Sequence, residues 1–492
     1  MNYVGISAGF HDAAISVIND NGNILFAGHS ERYSKNKHDK NISEYLLTDA
    51  LKHTNSPDLE YHYYEKPWLK SLRQLRSGEG FNWLSWQKIL GSTYSQMKNS
   101  KIHTHGHHLS HAAAGFQTSP YDDATVVVID AIGEFDTISI YNAWYDKNGI
   151  ANYKKLWRRR YPDSIGLFYS AMTKRAGLKP LDEEYILMGM AAYGNTRPIR
   201  EMSNTLIESF SDVTFKQNLH IGVSDDFIKG ADDMDIAHSA QLIVEQMIMS
   251  VISKARMLGG SKNLVYGGGV ALNCLANRLL GEYYDNIWII PNPGDAGSSL
   301  GASALGYGKR LNWTDAYLGH NIPGDYPVNR LLDHLVTNGI VGVASGRAEF
   351  GPRALGHRSL LADPRGSEIK DKVNEIKRRQ KFRPFAPIIL EEHVDNYFDM
   401  PHGFNNSRYM QVIARCRHPD LFPAIIHYDG TSRVQTVPND GSGIRELLEK
   451  WYVLTGCPML LNTSLNVRGE PMVNDRSDAD KFEKLYNISV LS

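Results

Sequence analysis

The chain has 492 residues, 42% of them hydrophobic and 10% aromatic, with a formal net charge of −1. That length exceeds one ordinary core and implies two to four domains, and the composition excludes a disordered chain. The near-neutral charge excludes a global field drawing the protein to nucleic acid or membrane, no stretch approaches the ~20 apolar residues of a membrane span, and three scattered cysteines (Cys274, Cys416, Cys457) form neither a disulfide framework nor a CxxC metal site.

The opening MNYVGISAGFHDAAISVI runs straight into a strand, without the features of a signal peptide, so the expected location is cytoplasmic. Residues 2–8, 13–18 and 23–28 are short β-like runs broken by Gly and Asn, the pattern of an antiparallel meander. Around 121–145 the pattern recurs as ATVVVIDAIG, FDTISIYNAWY and a KNG turn. Two such units predict an internal duplication with a nucleotide cleft between the halves. Between them lies HTHGHHLSHAAAGF (103–116). A helix over 107–116 sends His107 and His111 out of one face a turn apart. Two imidazoles so placed can bind one divalent metal ion; a polar, His-rich loop is the plainer alternative.

Residues 231–258 carry apolar positions at helical spacing and predict a long buried helix whose methionines are core. In NLVYGGGVALNCLANRLL a strand, a glycine turn and a helix bring backbone N–H groups and a helix N-terminus toward an anion. The strand NIWII then leads to PNPGDAGSSLGAS, with Asp295 in the Gly-rich turn where ligands of open α/β sheets collect. Composition shifts near 320–340, which divides the chain into 1–330 and 331–492. Beyond it, GRAEFGPRALGHRSLLADPR, KRRQKFRPFAPI, DGTSRVQTV and LLNTSLNVRGEP mix Arg and Lys with Gly, Pro, Phe and short apolar strands. Exposed helical faces do not look like this; a polyanion pocket does, with Arg as bidentate fork and Lys as point charge. Diffuse RNA binding is disfavoured, because no long interleaved aromatic stripe accompanies the charges.

Nine segments carry a resemblance: FHDAA (10–14), HHLSHAA (107–113), EEYILMGMAAYG (183–194), YGGGVALNCLAN (266–277), PNPGDAGSSLGA (291–302), GRAEFGPRALGHRSLLADPR (346–365), KFRPFAPI (381–388), DGTSRVQTV (429–437) and LLNTSLNVRGEP (460–471). In this order, across almost the whole chain, they resemble the NodU/CmcH family of O-carbamoyltransferases. The resemblance implies an α/β chain of two modules. The first, over 1–330, is an actin-like (ASKHA, duplicated RNase H-like) domain similar to the enzyme that completes threonylcarbamoylation of tRNA. The second, over 331–492, is a YrdC-like α/β domain. It implies an enzyme that takes carbamoyl phosphate and ATP with Mg2+, forms carbamoyl adenylate with loss of pyrophosphate, and carbamoylates a hydroxyl with release of AMP.

Site roles follow from the same resemblance. His107, His111, Asp130 and Asp295 bind the metal; the family's ion looks like Fe(II), and Zn or Mn suits the same donors. The family's K-x-R pattern matches Lys377 and Arg379, ahead of Arg383, and its S-x-N pattern matches Ser464 and Asn466. With Arg353 and Arg433 these form the pocket for carbamoyl phosphate and ATP, in which Lys377, Arg383 and Ser464 act on the reacting groups. Gly267, Gly268, Gly269 and Asn273, with Asp295, face carbamoyl adenylate. His11 is the general base for the acceptor and Asp12 its orienting partner; a structural histidine bonded to a turn is the alternative. The acceptor is a small-molecule hydroxyl on a sugar, antibiotic or modified nucleoside, and nucleic acid enters only in that last form. The sequence departs from the family at AIGEF after Asp130, at Ala192 and at Gln380, none a proposed ligand. It is also shorter than many relatives in the first module, where acceptor specificity would be built. Two rival readings are a fused tRNA threonylcarbamoyl enzyme and a non-catalytic actin-like nucleotide-sensing module, which needs no second polyanion pocket.

Overall fold

Short apolar runs bounded by glycine and asparagine form strands, as their pattern predicts. The computed structural model describes residues 1–76 and 85–492 and is mixed α/β. Strands β1 (Asn2–Ser7), β2 (Ala14–Asn19) and β3 (Ile24–His29) make the expected antiparallel meander, and β2, lying between the other two, has every residue buried. β4 (Leu59–Tyr63) and β5 (Ile102–Thr104) extend this sheet in parallel, giving the order β3-β2-β1-β4-β5.

A second sheet repeats the plan. β6 (Asp123–Ile129), β7 (Asp136–Tyr145) and β8 (Ala151–Arg160) form a meander, and β9 (Asn263–Gly267) and β10 (Asn286–Ile289) add in parallel on the free side of β6. Its order, β10-β9-β6-β7-β8, and the sense of every pair match the first sheet. The duplication faint in the sequence is therefore explicit in topology. It makes the β1–β2 turn, which carries His11 and Asp12, the counterpart of the β6–β7 turn, which opens with Asp130.

Helices pack against both sheets. Helix α1 (His107–Thr118) is the expected His-rich helix; α2 (Asp233–Leu258) and α3 (Ser298–Tyr307) follow. The Asp232 carboxylate caps α2 by accepting from the Met234 N–H at 2.8 Å, and Asp233 and Asp235 favour its positive end. Ile236, Ala240, Ile243, Met247, Ile248 and Val251 then bury one face in the main core. Ile248→Ala there costs about 2–5 kcal/mol. Between α1 and α3 the residues are small: a Cβ on Gly301 would overlap the Ser110 carbonyl oxygen. That close approach brings the turn before α3 to the start of α1.

One expectation is corrected after β9. Instead of a helix, the chain coils through a 3-10 turn (Gly269–Leu272) and one α-turn (Cys274–Asn277). Asn273 breaks them apart, with ψ at 86° and a side chain that accepts from the Ala276 N–H at 3.0 Å. Gly269, Val270, Leu272 and Asn273 of this coil line the neighbouring cavity in place of the N-terminus of a long helix.

Past the composition shift lies a six-stranded sheet of β11 (Ile340–Ala344), β12 (Arg358–Ala362), β13 (Ala386–Leu390), β14 (Gln435–Val437), β15 (Met459–Ser464) and β16 (Val490–Leu491). Its order is β14-β13-β15-β12-β11-β16, antiparallel at the centre and parallel at both edges. Among the described residues no helix is long and apolar enough to cross a membrane.

Candidate active site

His107 and His111 open α1, Asp130 follows β6, and Asp295 stands in the turn before α3; all four are buried. The two Nε2 atoms lie 3.1 Å apart. Asp130 Oδ2 is 3.1 Å from His107 Nε2 and 3.8 Å from His111 Nε2, and Asp295 Oδ1 is 3.4 and 3.3 Å from the same atoms. Four donor atoms thus lie within 4.8 Å of one another. Burial works against charge here, yet Asp295, Asp130 and Glu65 hold His107 well above the usual imidazole range. Burial and Asp295 push Asp130 up, and His107 and His111 outweigh them, bringing it down to about 2. Asp295 also falls well below its ordinary value, chiefly through His107 against the cost of burial. Two imidazole nitrogens aimed at each other between two ionised carboxylates fit one divalent ion, and this nitrogen–oxygen set suits Fe(II), Zn or Mn. Behind the group, the buried His107 Nδ1 looks at Glu65 Oε2 from 3.6 Å, and Glu65 accepts from Lys70 Nζ at 2.7 Å.

His11 stands beside this group, its Nε2 3.8 Å from Asp295 Oδ2 and its Nδ1 2.9 Å from Asp12 Oδ2. Burial disfavours a charged ring, and Asp12 and Asp295 raise it above its ordinary value all the same. Two residues that no motif singled out complete the wall: His38, 2.7 Å from Asp12 Oδ1, and Asp182, 2.9 Å from His38.

The same cavity, 1110 Å³ in volume, is lined by Arg353, Lys377, Arg379, Arg383, Arg433, Ser464 and Asn466 as well as by His11, Asp12, Asp130 and Asp295. Lys377 is buried and donates to the Ser464 carbonyl, to Ser464 Oγ at 3.0 Å and to Asn466 Oδ1 at 2.7 Å. Arg379 lies 3.9 Å over the Phe385 ring and donates to Asn374 Oδ1 at 2.6 Å; Arg383 lies 4.8 Å over Tyr185. Among the described residues, no carboxylate pairs with any of these five cations. Burial, then Arg379 and Arg383, drives Lys377 well below its usual range. Burial and Arg433 push Arg353 down to about 9. Cations crowded together without acids are arranged for an incoming polyanion.

The glycine turn divides. Gly269 and Asn273 line the cavity, and the Gly269 N–H donates to Asp130 Oδ1 at 3.1 Å. Gly267 and Gly268 do not line it; Gly268, at φ +88°, makes the turn behind, with its Cα face against the Ile129 carbonyl. Asn273 exchanges hydrogen bonds with Gln241 at 3.0 and 3.1 Å.

Family models described as Carbamoyltransferase N-terminus and Carbamoyltransferase C-terminus match residues 59–304 and 332–492. The chain belongs to the carbamoyltransferase family. This carbamoyltransferase is 32% identical to an uncharacterized protein of Synechocystis, over 97% of its own length and 93% of the relative's. It is 28% identical to the nodulation protein NolNO of Sinorhizobium fredii, over 95% and 76%. It is 27% identical to the 3'-hydroxymethylcephem-O-carbamoyltransferase of Amycolatopsis lactamdurans, over 97% and 96%.

Proposed function

We propose that the protein is an ATP-dependent O-carbamoyltransferase whose two half-reactions share one cavity. Its two matching sheets form an actin-like module and its third sheet a YrdC-like module, with the boundary near residue 330. The observation that carries the reading is one 1110 Å³ cavity lined both by acid–imidazole residues and by cations that, among the described residues, have no carboxylate partner.

At the cationic end, carbamoyl phosphate and ATP bring about six negative charges at neutral pH. Arg353, Arg379, Arg383 and Arg433 offset them, and Lys377, held by Ser464 and Asn466, stands where charge develops. Carbamoyl phosphate loses its phosphate to water, a carbamate oxygen attacks the α-phosphorus of ATP, and pyrophosphate leaves. Water hydrolyses the resulting mixed anhydride, so passage within one cavity protects it.

At the other end Gly269 and Asn273 face the adenylate. His11, donating from Nδ1 to Asp12, keeps Nε2 toward the cavity. That nitrogen takes the proton of the acceptor hydroxyl as its oxygen bonds to the carbamoyl carbon and AMP departs, a role worth ~10²–10⁴ in rate. His107, His111, Asp130 and Asp295 would hold a divalent ion, which would supply Lewis-acid polarisation beside this step. The acceptor is a hydroxyl of a sugar, antibiotic or modified nucleoside.

The test is incubation with ATP and carbamoyl phosphate and detection of pyrophosphate. Release is expected. A nucleotide sensor makes none, and a tRNA threonylcarbamoyl enzyme requires threonine and bicarbonate instead; either result overturns the reading.

A further inference from the structure

Behind His11 the line of alternating carboxylates and imidazoles runs on past Asp12 to His38 and Asp182, which have no part in the steps above. Asp12 uses both oxygens: Oδ2 lies 2.9 Å from His11 Nδ1, and Oδ1 lies 2.7 Å from His38 Nδ1. The far nitrogen of His38, Nε2, is 2.9 Å from Asp182 Oδ1. Both nitrogens of His38 therefore face ionised carboxylates, which only accept, so both carry protons. Burial opposes that charge, but Asp12 and Asp182 outweigh it and hold His38 up at about 10. Asp182 lies well below its usual range, chiefly through the hydrogen bond from His38, and it also accepts from Lys37 at 2.6 Å and Lys179 at 3.1 Å.

The backbone is unusual along the same line. Asp12 at φ +51°, His38 at φ +56° and Leu181, next to Asp182, at φ +63° all occupy the left-handed region without being glycine. Such conformations persist where the surroundings over-determine them, and they gather at functional sites. Here each of the three marks a link. The Glu31 carboxylate pins the second link by accepting from the His38 N–H at 3.0 Å.

We propose that His38, fixed as an imidazolium between Asp12 and Asp182, is a positioning residue for the acceptor step, acting on His11 through Asp12. A lone Asp12 could rotate or draw the proton from the His11 ring. Bonded to a permanent cation, it is a weak base held in one orientation, so the Nδ1 proton of His11 stays in place and Nε2 alone faces the cavity. Asp182 anchors the line from residues 176–183, between the helices Ile165–Arg175 and Glu184–Met190, on another wall of the cavity.

The inference rests on the proposed role of His11, and the experiment separates the two. In the full-length protein labelled with 15N-histidine, at pH 7, the ring signal of His38 should be that of an imidazolium. The Nδ1–H of His11, assigned by its loss in His11→Ala, should exchange slowly with water. His38→Gln and Asp182→Asn should speed that exchange, and His38→Arg, which restores a fixed cation with forked donors, should slow it again. In parallel, AMP release from ATP and carbamoyl phosphate with glycerol as the acceptor should fall up to about 100-fold in His38→Gln with the KM for ATP unchanged, and recover in His38→Arg. Exchange at His11 unaltered by His38→Gln overturns the proposal, as does full turnover in that variant. No rescue by arginine overturns it too. A wild-type protein that releases no pyrophosphate defeats the carbamoyl-transfer reading alone, and the exchange measurement then decides the positioning role by itself.

Discussion

The two ends of the cavity meet the same difficulty in opposite ways. At the acid–imidazole end, His11, His38, His107 and His111 face Asp12, Asp130, Asp182 and Asp295, so each charge withdrawn from water has a partner within the protein. At the other end Lys377, Arg353, Arg379, Arg383 and Arg433 crowd one another with no carboxylate paired to them among the described residues, and burial lowers the pKa of each. A compensated cluster is organised before any substrate arrives. An uncompensated one is relieved only by what binds, which is how a pocket favours a polyanion over water.

The largest expected effects break the comparison if they fail to separate. Lys377→Ala or Ser464→Ala should abolish pyrophosphate release yet leave transfer from synthetic carbamoyl adenylate. His111→Ala should release pyrophosphate and not transfer. Each variant controls for the folding of the other. Loss of both half-reactions in either, with circular dichroism intact, would mean one composite site at the shared cavity.

A smaller effect concerns the metal. Purified protein should hold about one divalent ion per chain by elemental analysis, and the double variant His107→Ala/His111→Ala should hold at least about tenfold less. Equal content in the two would remove the ion from the acid–imidazole end and leave a purely organic cluster.

The smallest effect uses a third group of histidines as a control. His62 stacks on His103 and His105 at 5.1 and 5.3 Å, and the one carboxylate paired with it among the described residues is the half-exposed Glu60 at 3.5 Å. Burial and the neighbouring rings push His62 down to about 4 and His105 to about 3, the reverse of His38 and His107. Their neutral rings therefore contribute stability fully above about pH 6.5, and it is lost as the pH falls through about 4 and about 3. His105→Gln should flatten the acid side of a Tm–pH profile by a few degrees. An unchanged profile would show that rings facing rings carry no such penalty.

Much of this was readable in the sequence, where a feature lives on one element. The meander of β1–β3, the two-histidine face of α1, the core helix α2 and the turn holding Asp295 each follow from local period or from turn residues. The cationic pocket was readable because Lys377, Arg379, Ser464 and Asn466 sit in short patterns. His38, Asp182 and Glu65 were not readable. KNKHDKN and GLKPLDEE look like solvated loops, and the pairs they make join residues 26 and 144 positions apart. The helix expected after β9 failed for a local reason, since the Asn273 side chain serves the second turn and ends the first. The strict repetition of sheet order was legible only in outline, because register and pairing leave little trace in residue type.

The contact at Gly301 has a further reach. His107 and His111 ride on α1 and Asp295 rides at the head of α3, so the gap between two helices is a gauge for the spacing of the donors proposed to hold a metal. The gauge is set where no donor lies, by a residue lacking a side chain against the Ser110 carbonyl. A methyl group there would act as a shim, parting imidazole from carboxylate while leaving every ligand in place. If the proposed ion is bound, its radius and coordination preference, more than the ligands' chemical identity, would then decide which metal is kept.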